Sequence, residues 1–478
     1  MNRKMIFRVL GLILLCLCAL LVVPAAVGLI YHEKISHFLI TIAITGVFAL
    51  LLICVKPEND MIFAKEGFVI VGLGWILMSV FGALPFYLSG EIPSFVDALF
   101  ETASGLTTTG ATIMENVEVL SRGTMFWRLF THWIGGMGVL VFIMAVMPMS
   151  GNRSMHIMRA EVPGPTVGKL VPRVRKTAKI LYLIYIALTA VEYVFLRFGG
   201  MSVYDAVLHS MATAGTGGFS TKASSVGYWD SAYIDTVIAV FMMIFGINFN
   251  LYFLILIGRW RDALKSEELH WYFLIIIGTT LAIAAGISDT YGGFMQGVRY
   301  AFFNVNTLMS SSGFGNADFT LWPEYCKWIL VLIMFCGACA GSTGGGMKLS
   351  RIMMLIKCAV VDVRRMTRPR SVVSVRMDGK SVDREVISAT LSFSLLYALC
   401  LLLFTFIISF DGYDITTNFT AMISCLSNMG PGMGLVGPAG NYSIFSDLSK
   451  LVMTFAMLLG RLEFFPLLVL FAPSTWKK

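Results

Sequence analysis

The sequence predicts an all-α integral membrane fold: two N-terminal transmembrane helices, then four repeats of span, short half-helix, loop and span. Three observations predict it. Apolar residues make up 57% of the chain and charged residues only 13%, about half the roughly 25% of a soluble domain. Apolar runs long enough to cross a bilayer recur from end to end. Glycine-bearing segments at Gly110, Gly217, Gly313 and Gly430 recur at long, nearly even intervals, each after a short amphipathic stretch. A fixed period marks a repeated structural unit.

Residues 1–60 hold two spans, near 6–30 and 36–55, and no glycine loop, so they stand outside the repeat. The first lacks a small-residue cleavage site and reads as a retained helix, not a secretory signal. Repeat 1 (61–150) has spans at 67–89 and 124–148. Between them Pro93 and Ser94 can start a helix, which ends at Gly105 and is too short to span. Repeat 2 (151–262) places a short helix at 202–212 between spans at 178–198 and 232–258. Repeat 3 (263–380) places one at 295–309, between 270–288 and an interrupted span at 326–360. Repeat 4 (381–478) places one at 415–426, between 387–410 and 446–472.

Basic residues set the orientation. With Arg3, Lys4 and Arg8 in the cytoplasm, the ten expected spans return Lys477 and Lys478 to the same side. Loop 149–180 then faces in with Arg153, Arg159, Lys169, Arg173, Arg175, Lys176 and Lys179. So does 348–386, with its ten basic residues from Lys348 to Arg384. The net charge of +8 therefore sits on cytoplasmic loops, with no nucleic-acid motif or aromatic interleaving. Contact with membrane lipids and docking of a cytosolic partner are compatible readings of it. The nine cysteines are scattered; Cys336 and Cys339 have no second pair or His nearby and read as buried and reduced. No Ser/His/Asp, Cys/His or metal-ligand constellation argues for an enzyme. A broken-helix carrier with inverted halves fits four same-direction repeats poorly.

Non-helical backbone at membrane depth is tolerated only when buried in protein or lining water. A half-helix aimed at the membrane centre puts its negative dipole end there. Glycine lets the residues after it turn several carbonyls toward one axis. Thr/Ser-x-Gly-x-Gly is also close to the Thr-Val-Gly-Tyr-Gly loop whose carbonyls replace water around K⁺ in potassium channels. The competing reading, close helix packing at glycine, is weakened by four loops at one place in the repeat.

Two features break the repetition. Gly341-Ser342-Thr343-Gly344-Gly345-Gly346 cannot sit easily in a continuous helix, since each glycine costs about 1 kcal/mol relative to alanine. The expected break is a helix to Ala340, a loop to Met347 and a new helix from Lys348; a kink or close helix crossing is the alternative. Arg461 lies mid-span, where a buried guanidinium marks a functional candidate. It either faces the conduction path as a positive brake or forms a structural pair, with Glu463 or a carboxylate elsewhere. Lys348 and Arg351 either snorkel or touch the loop. His132 with Trp133 reads as interfacial packing. Asp97 and Glu101 read as vestibule or cap residues, or as cation attractors at the outer mouth. Asn248 and Asn250 read as interhelical hydrogen-bonding groups.

The chain resembles the Trk/Ktr/HKT superfamily of potassium transporters, Trk type. The carrying motifs are Ser104-Gly105-Leu106-Thr107-Thr108-Thr109-Gly110-Ala111-Thr112, Ala214-Gly215-Thr216-Gly217-Gly218-Phe219-Ser220-Thr221, residues 337–348, and Gly460-Arg461-Leu462-Glu463. The two extra N-terminal spans match the Trk type as well. The resemblance implies four membrane–pore-helix–membrane repeats around one pseudo-fourfold pore, a homodimer, and a cytosolic TrkA-like nucleotide-binding ring carried on a separate polypeptide. The location it implies is a bacterial inner membrane with both termini cytoplasmic. K⁺ is then the transported ion, and no organic cofactor is expected in this chain. Main-chain ligands are assigned to Thr108, Thr109, Gly110, Thr216, Gly217, Ser312, Gly313, Met429 and Gly430. Gate residues are Gly341, Ser342, Thr343, Gly344, Gly345, Gly346, Met347 and Arg461. In this superfamily a serine in place of the first-loop glycine goes with Na⁺ transport, so Gly110 argues for K⁺. A Na⁺ or mixed-cation transporter of the same fold is the alternative. Asn428, Met429 and Pro431 depart from the threonine pattern, so fourfold symmetry is not expected to be perfect.

Overall fold

The computed structural model describes residues 1–55, 63–136, 138, 174–368 and 374–476. The latter part of the span expected at 124–148, the basic residues Arg153, Arg159, Lys169, Arg173 and Arg370, and Lys477 with Lys478 lie outside the described residues.

Helices α1 (Arg3–Ile30) and α2 (Ser36–Ile53) come first. They are followed by α3 (Ala64–Ser89), the short α4 (Phe95–Leu106) and α5 (Arg122–Gly136). Next come α6 (Val174–Phe198), the short α7 (Val203–Gly215), α8 (Ala232–Phe245), α9 (Phe249–Leu256) and the single turn α10 (Trp260–Ala263). The third group is α11 (Glu267–Ile287), the short α12 (Phe294–Met309), α13 (Glu324–Cys336) and α14 (Leu349–Thr367). A hairpin, β1 (Arg376–Met377) with β2 (Lys380–Ser381), leads into α15 (Arg384–Ile408) and the short α16 (Ile415–Ser427). The chain closes with α17 (Asp447–Arg461), α18 (Phe465–Phe471) and α19 (Pro473–Trp476).

Six described helices are long and apolar enough to cross a membrane, or seven if one bent pair counts as a span. Large apolar side chains such as Leu51, Leu183, Ile277 and Leu402 face outward and exposed, as lipid contact requires. Inside, Trp75, Phe86, Phe100 and Trp127 are fully buried in one core that runs through every group.

Three of the four short helices start where a side chain caps them. Ser94, Ser202 and Asp414 each accept from an N–H of the first turn. Thr417 also holds the Asp414 carboxyl below the usual carboxylate range, through its hydroxyl.

Three of the expected continuous or simply interrupted spans break in ways that need correcting. The span at 232–258 bends by 86° between α8 and α9, because Asn248 caps the new helix by accepting from Asn250 N–H at 2.9 Å. The span at 446–472 breaks after Arg461, where Glu463 and Phe464 take φ of 52° and 69°. The glycine-run break starts earlier than Ala340, because Gly337 takes a φ of 65° and ends α13. Only the glycine run announced itself; the break after α8 falls on the single glycine Gly246 and on Asn248, and that after Arg461 on Glu463 and Phe464, whose types are compatible with helix. The hairpin, absent from the all-α expectation, forms on Asp378-Gly379, both at positive φ.

Glycine also brings helices into backbone contact. A Cβ on Gly135 of α5 would lie 1.8 Å from Leu106 O of α4, and one on Gly460 of α17 would lie 2.1 Å from Leu426 O of α16. Close packing thus accounts for these glycines. Gly135→Ala is expected to destabilise the protein by about 1–3 kcal/mol through overpacking. Gly278→Ala, at a helical position with open space around it, should leave it unchanged or slightly stabilised. Thermal unfolding of both variants in detergent checks this.

Candidate functional site

The four short helices end alike. Thr108, Thr216, Ser311 and Asn428 take φ of 61°, 54°, 60° and 53°. The N–H of the following residue reaches back five positions: Thr109 to Ser104 O, Gly217 to Ala212 O, Ser312 to Thr307 O and Met429 to Ser424 O, at 2.8–2.9 Å. This left-handed closure sets the register of each loop. Thr109, Gly217, Ser312 and Met429 are equivalent, and the shared glycine that follows is Gly110, Gly218, Gly313 or Gly430. The expected pairing of Gly217 with Gly110 is therefore shifted by one residue. Two adjacent glycines concealed the shift. Gly217 is small for another reason, since a Cβ there would lie 2.4 Å from the His132 ring.

The shared glycines touch in sequence. A Cβ on Gly110 would lie 2.7 Å from Gly218 N, and one on Gly218 would lie 2.5 Å from Gly313 C. On Gly313 it would lie 2.3 Å from Met429 O, and on Gly430 it would lie 2.8 Å from Thr109 O. The contacts return to their starting point, so the four loops close a ring, with a short-helix C-terminus behind each.

Within the ring, the carbonyl oxygens of Thr108, Thr109, Gly110, Thr216, Gly217, Ser312, Gly313 and Met429 accept no hydrogen bond among the described residues. Gly430 differs from its expected role. Its carbonyl accepts from the Ser424 hydroxyl at 2.6 Å and the Tyr442 hydroxyl at 2.7 Å. Both lone pairs are taken, so this oxygen braces the loop and is not free to coordinate. Ser311 and Asn428, absent from the expected set, occupy the Thr108 position; counting from the helix ends would have found them. On the far side of the glycines a cavity of about 120 Å³ is lined by the ring together with Glu115, Arg128, Lys222 and Tyr442.

Buried polar joints hold the ring. Behind loop 1, Arg128 Nε donates to Glu101 Oε1 at 2.6 Å, both side chains being buried. Glu101 also accepts from the Thr112 hydroxyl at 2.9 Å and Ile113 N–H at 3.0 Å. Arg128 donates to Ser220 O at 3.1 Å and lies 3.6 Å from the Phe219 ring centre. This one pair joins α4, α5 and the loops after Gly110 and Gly218, which replaces the cap or vestibule reading of Glu101. His132 is buried, not interfacial. Phe219 N–H donates to its Nε2 at 3.2 Å, so Nδ1 carries the proton and donates to Gly105 O at 2.8 Å. In loop 3, Asn316 and Arg299 both donate to Asp235 Oδ2, at 3.1 and 2.8 Å. In loop 4, Asn428 Nδ2 donates to Thr109 Oγ1 at 3.1 Å and Met457 O at 2.8 Å. Asp97 pairs with Lys450 of α17 at 2.6 Å.

The broken segment 337–348 lies against the opposite face of the ring. A Cβ on Gly344 would lie 2.6 Å from Ser310 O, and one on Gly345 would lie 2.2 Å from Ser427 O. Gly345 N–H donates to the Ser311 hydroxyl. Arg461 donates to Thr343 O at 2.9 Å, to Gly136 O at 2.9 Å and to Gly135 O. It thus clamps the segment to α5 and is not paired with Glu463, whose carboxylate pairs with Arg351. Lys348 is buried and donates to Gly344 O, so neither Lys348 nor Arg351 snorkels. Phe249 N–H, at the α8–α9 break, donates to Gly341 O at 3.0 Å. Asn248 thus serves a helix cap beside this segment.

Comparisons with known proteins agree on one family. The profile of the TrkH family, described as "Cation transport protein", matches residues 34–269 and 269–478. The "Trk system potassium uptake protein TrkH" of Escherichia coli (strain K12) is 36% identical over 491 residues, covering 100% of both chains. The "Trk system potassium uptake protein TrkG" of the same strain is 33% identical, covering 95% of this chain and 94% of the other. The crystal structure of the potassium transporter TrkH from Vibrio parahaemolyticus superposes with a TM-score of 0.89 at 31% identity, covering 100% of both chains.

Removing one partner of a buried ion pair leaves the other charge uncompensated, at a cost of about 3–5 kcal/mol. Glu101→Gln and Arg128→Met are each expected to lower stability by about that amount. The double variant should lose much less than the sum of the two. Thermal unfolding of the single and double variants measures the coupling.

Proposed function

Since the chain belongs to the TrkH family of cation transport proteins, we propose that it is the potassium-conducting membrane subunit of a Trk-type K⁺ uptake system. The observation that carries this reading is the closed contact of Gly110, Gly218, Gly313 and Gly430. It supports four membrane–pore-helix–membrane repeats around one pseudo-fourfold pore.

In this reading the ring is the ion filter. A dehydrated cation needs a cage of oxygens, and neutral carbonyl dipoles supply one without holding it too tightly. The ligands are the carbonyls of Thr108, Thr109, Gly110, Thr216, Gly217, Ser312, Gly313 and Met429, with Gly218 added by register. The hydroxyls of Thr108, Thr216 and Ser311 lie at the inner end. The four helix C-termini add a negative field without fixed carboxylates. Segment 341–347, seated under the ring, is the gate, and Arg461 holds it closed through Thr343 O. The working assembly is a homodimer with a cytosolic TrkA-like nucleotide-binding partner. The chain sits in the bacterial inner membrane with both termini cytoplasmic, so the hairpin and the end of α14 face the cytoplasm.

Cells lacking their own K⁺ uptake should grow at limiting K⁺ when they express this chain with its partner. Growth that depends on Na⁺ and never recovers at limiting K⁺ would sink the proposal. Gly110→Ser places a side chain against Gly218 at a φ of 81°. It should lower K⁺ over Na⁺ discrimination about tenfold, equivalent to about 1.4 kcal/mol, as read by ion competition for uptake. Deleting residues 341–346, or Arg461→Ala, should raise basal flux in proteoliposomes; unchanged flux from a well-folded deletant removes the gate assignment.

A further inference from the structure

The glycine segment is held at its tip by Arg461, Lys348 and Ser311, but its two arms converge on a residue from a different helix. Glu268, the second residue of α11, is 9% exposed. Its Oε1 accepts from Ala340 N–H at 2.8 Å and from Ser350 N–H at 3.0 Å. Ala340 immediately precedes the loop, and Ser350 lies in the first turn of α14, where N–H groups have no partner within their own helix. One carboxylate oxygen therefore cinches the loop at its neck with two charge-assisted hydrogen bonds. An acidic residue in a first turn ordinarily serves its own helix. Here Ser266 caps α11 by accepting from Leu269 N–H, which leaves Glu268 to the other segment.

The neighbouring residue faces outward. Glu267 N–H donates to Asp378 Oδ1 of the hairpin turn at 2.7 Å. Its carboxylate pairs with Lys357 of α14, and Lys357 also donates to Arg376 O of β1 at 2.8 Å. Two consecutive residues of α11 thus hold the hairpin and the neck of the loop.

We propose that Glu268 is the positioning residue that latches the loop, and that movement of the hairpin and α14 reaches the loop through the first turn of α11. The proposal rests on the gating reading of residues 341–347. With the carboxylate gone, both arms lose their common anchor and the loop leaves the underside of the ring more often. Because the latch biases an existing equilibrium, its loss raises flux without creating a new path.

The test is basal K⁺ flux in proteoliposomes of the purified full chain, with the 341–346 deletion as reference. Glu268→Ala should raise flux about fivefold or more, the lower range of a coupling free energy. Glu268→Gln, which keeps an acceptor but not the charge, should give a smaller rise. Glu268→Ala combined with the deletion should conduct no faster than the deletion alone. If the deletion does not raise flux, the gating reading falls and the latch falls with it. If the deletion raises flux and Glu268→Ala does not, the latch is overturned and the gate stands. A merely structural role would lower flux in Glu268→Ala and lower it further in the combination, which also overturns the latch. Should Glu268→Ala fail to purify as a single species, Glu268→Gln decides alone, with unchanged flux counting against the proposal.

Discussion

Everything in this molecule is arranged around the absence of four Cβ atoms. Gly110, Gly218, Gly313 and Gly430 each press backbone against the next loop, and a methyl group at any of them would meet main-chain atoms within 2.3–2.8 Å. Main chain can line an axis only where side chains are missing from the contact between neighbours. The helices behind the ring obey the same rule, with Gly135 on Leu106 O and Gly460 on Leu426 O. Closing the ring also withdraws the loop carbonyls from ordinary hydrogen bonding, a state tolerated at membrane depth only beside water or a substitute for it.

The supports of the ring differ from loop to loop. Loop 1 leans on a buried ion pair, loop 2 on a histidine, loop 3 on an aspartate shared by Arg299 and Asn316, and loop 4 on the amide of Asn428. Four copies of one backbone shape are thus stabilised by four unrelated chemistries. The shape is common because the left-handed helix ending is common; the supports differ because any satisfied polar group can serve. Asn428 fits its place for a stated reason: it tolerates positive φ better than most residues and its amide reaches loop 1.

The unbroken spans, the short helices and the glycine run were legible in the sequence because each follows from composition or from a residue type with a strong backbone preference. The single-residue shift at Gly217 and Gly218 was not legible, since adjacent glycines carry no register. The breaks at 246–248 and 462–464 were also hidden. Asn248 reads as an ordinary polar residue of a span, and Glu463 and Phe464 give no sign of positive φ. The buried partners Glu101–Arg128 and Glu268 depend on contacts between distant segments, which no local pattern encodes. Arg461 was recognisable as costly, but its carbonyl partners on α5 and the glycine segment could only come from the fold.

The carbonyl of Gly430, held by two hydroxyls, has a consequence for the proposed ion filter. At the level of the shared glycines the carbonyl oxygens of Gly110, Gly218 and Gly313 accept no hydrogen bond among the described residues, and that of Gly430 belongs to Ser424 and Tyr442. In the proposed filter, an ion resting there would keep part of its hydration shell on that side. Its entry would demand less dehydration and its departure would meet a shallower well. On that reading the same hydroxyl pair that braces loop 4 would shorten residence, exchanging some grip on the ion for speed of passage.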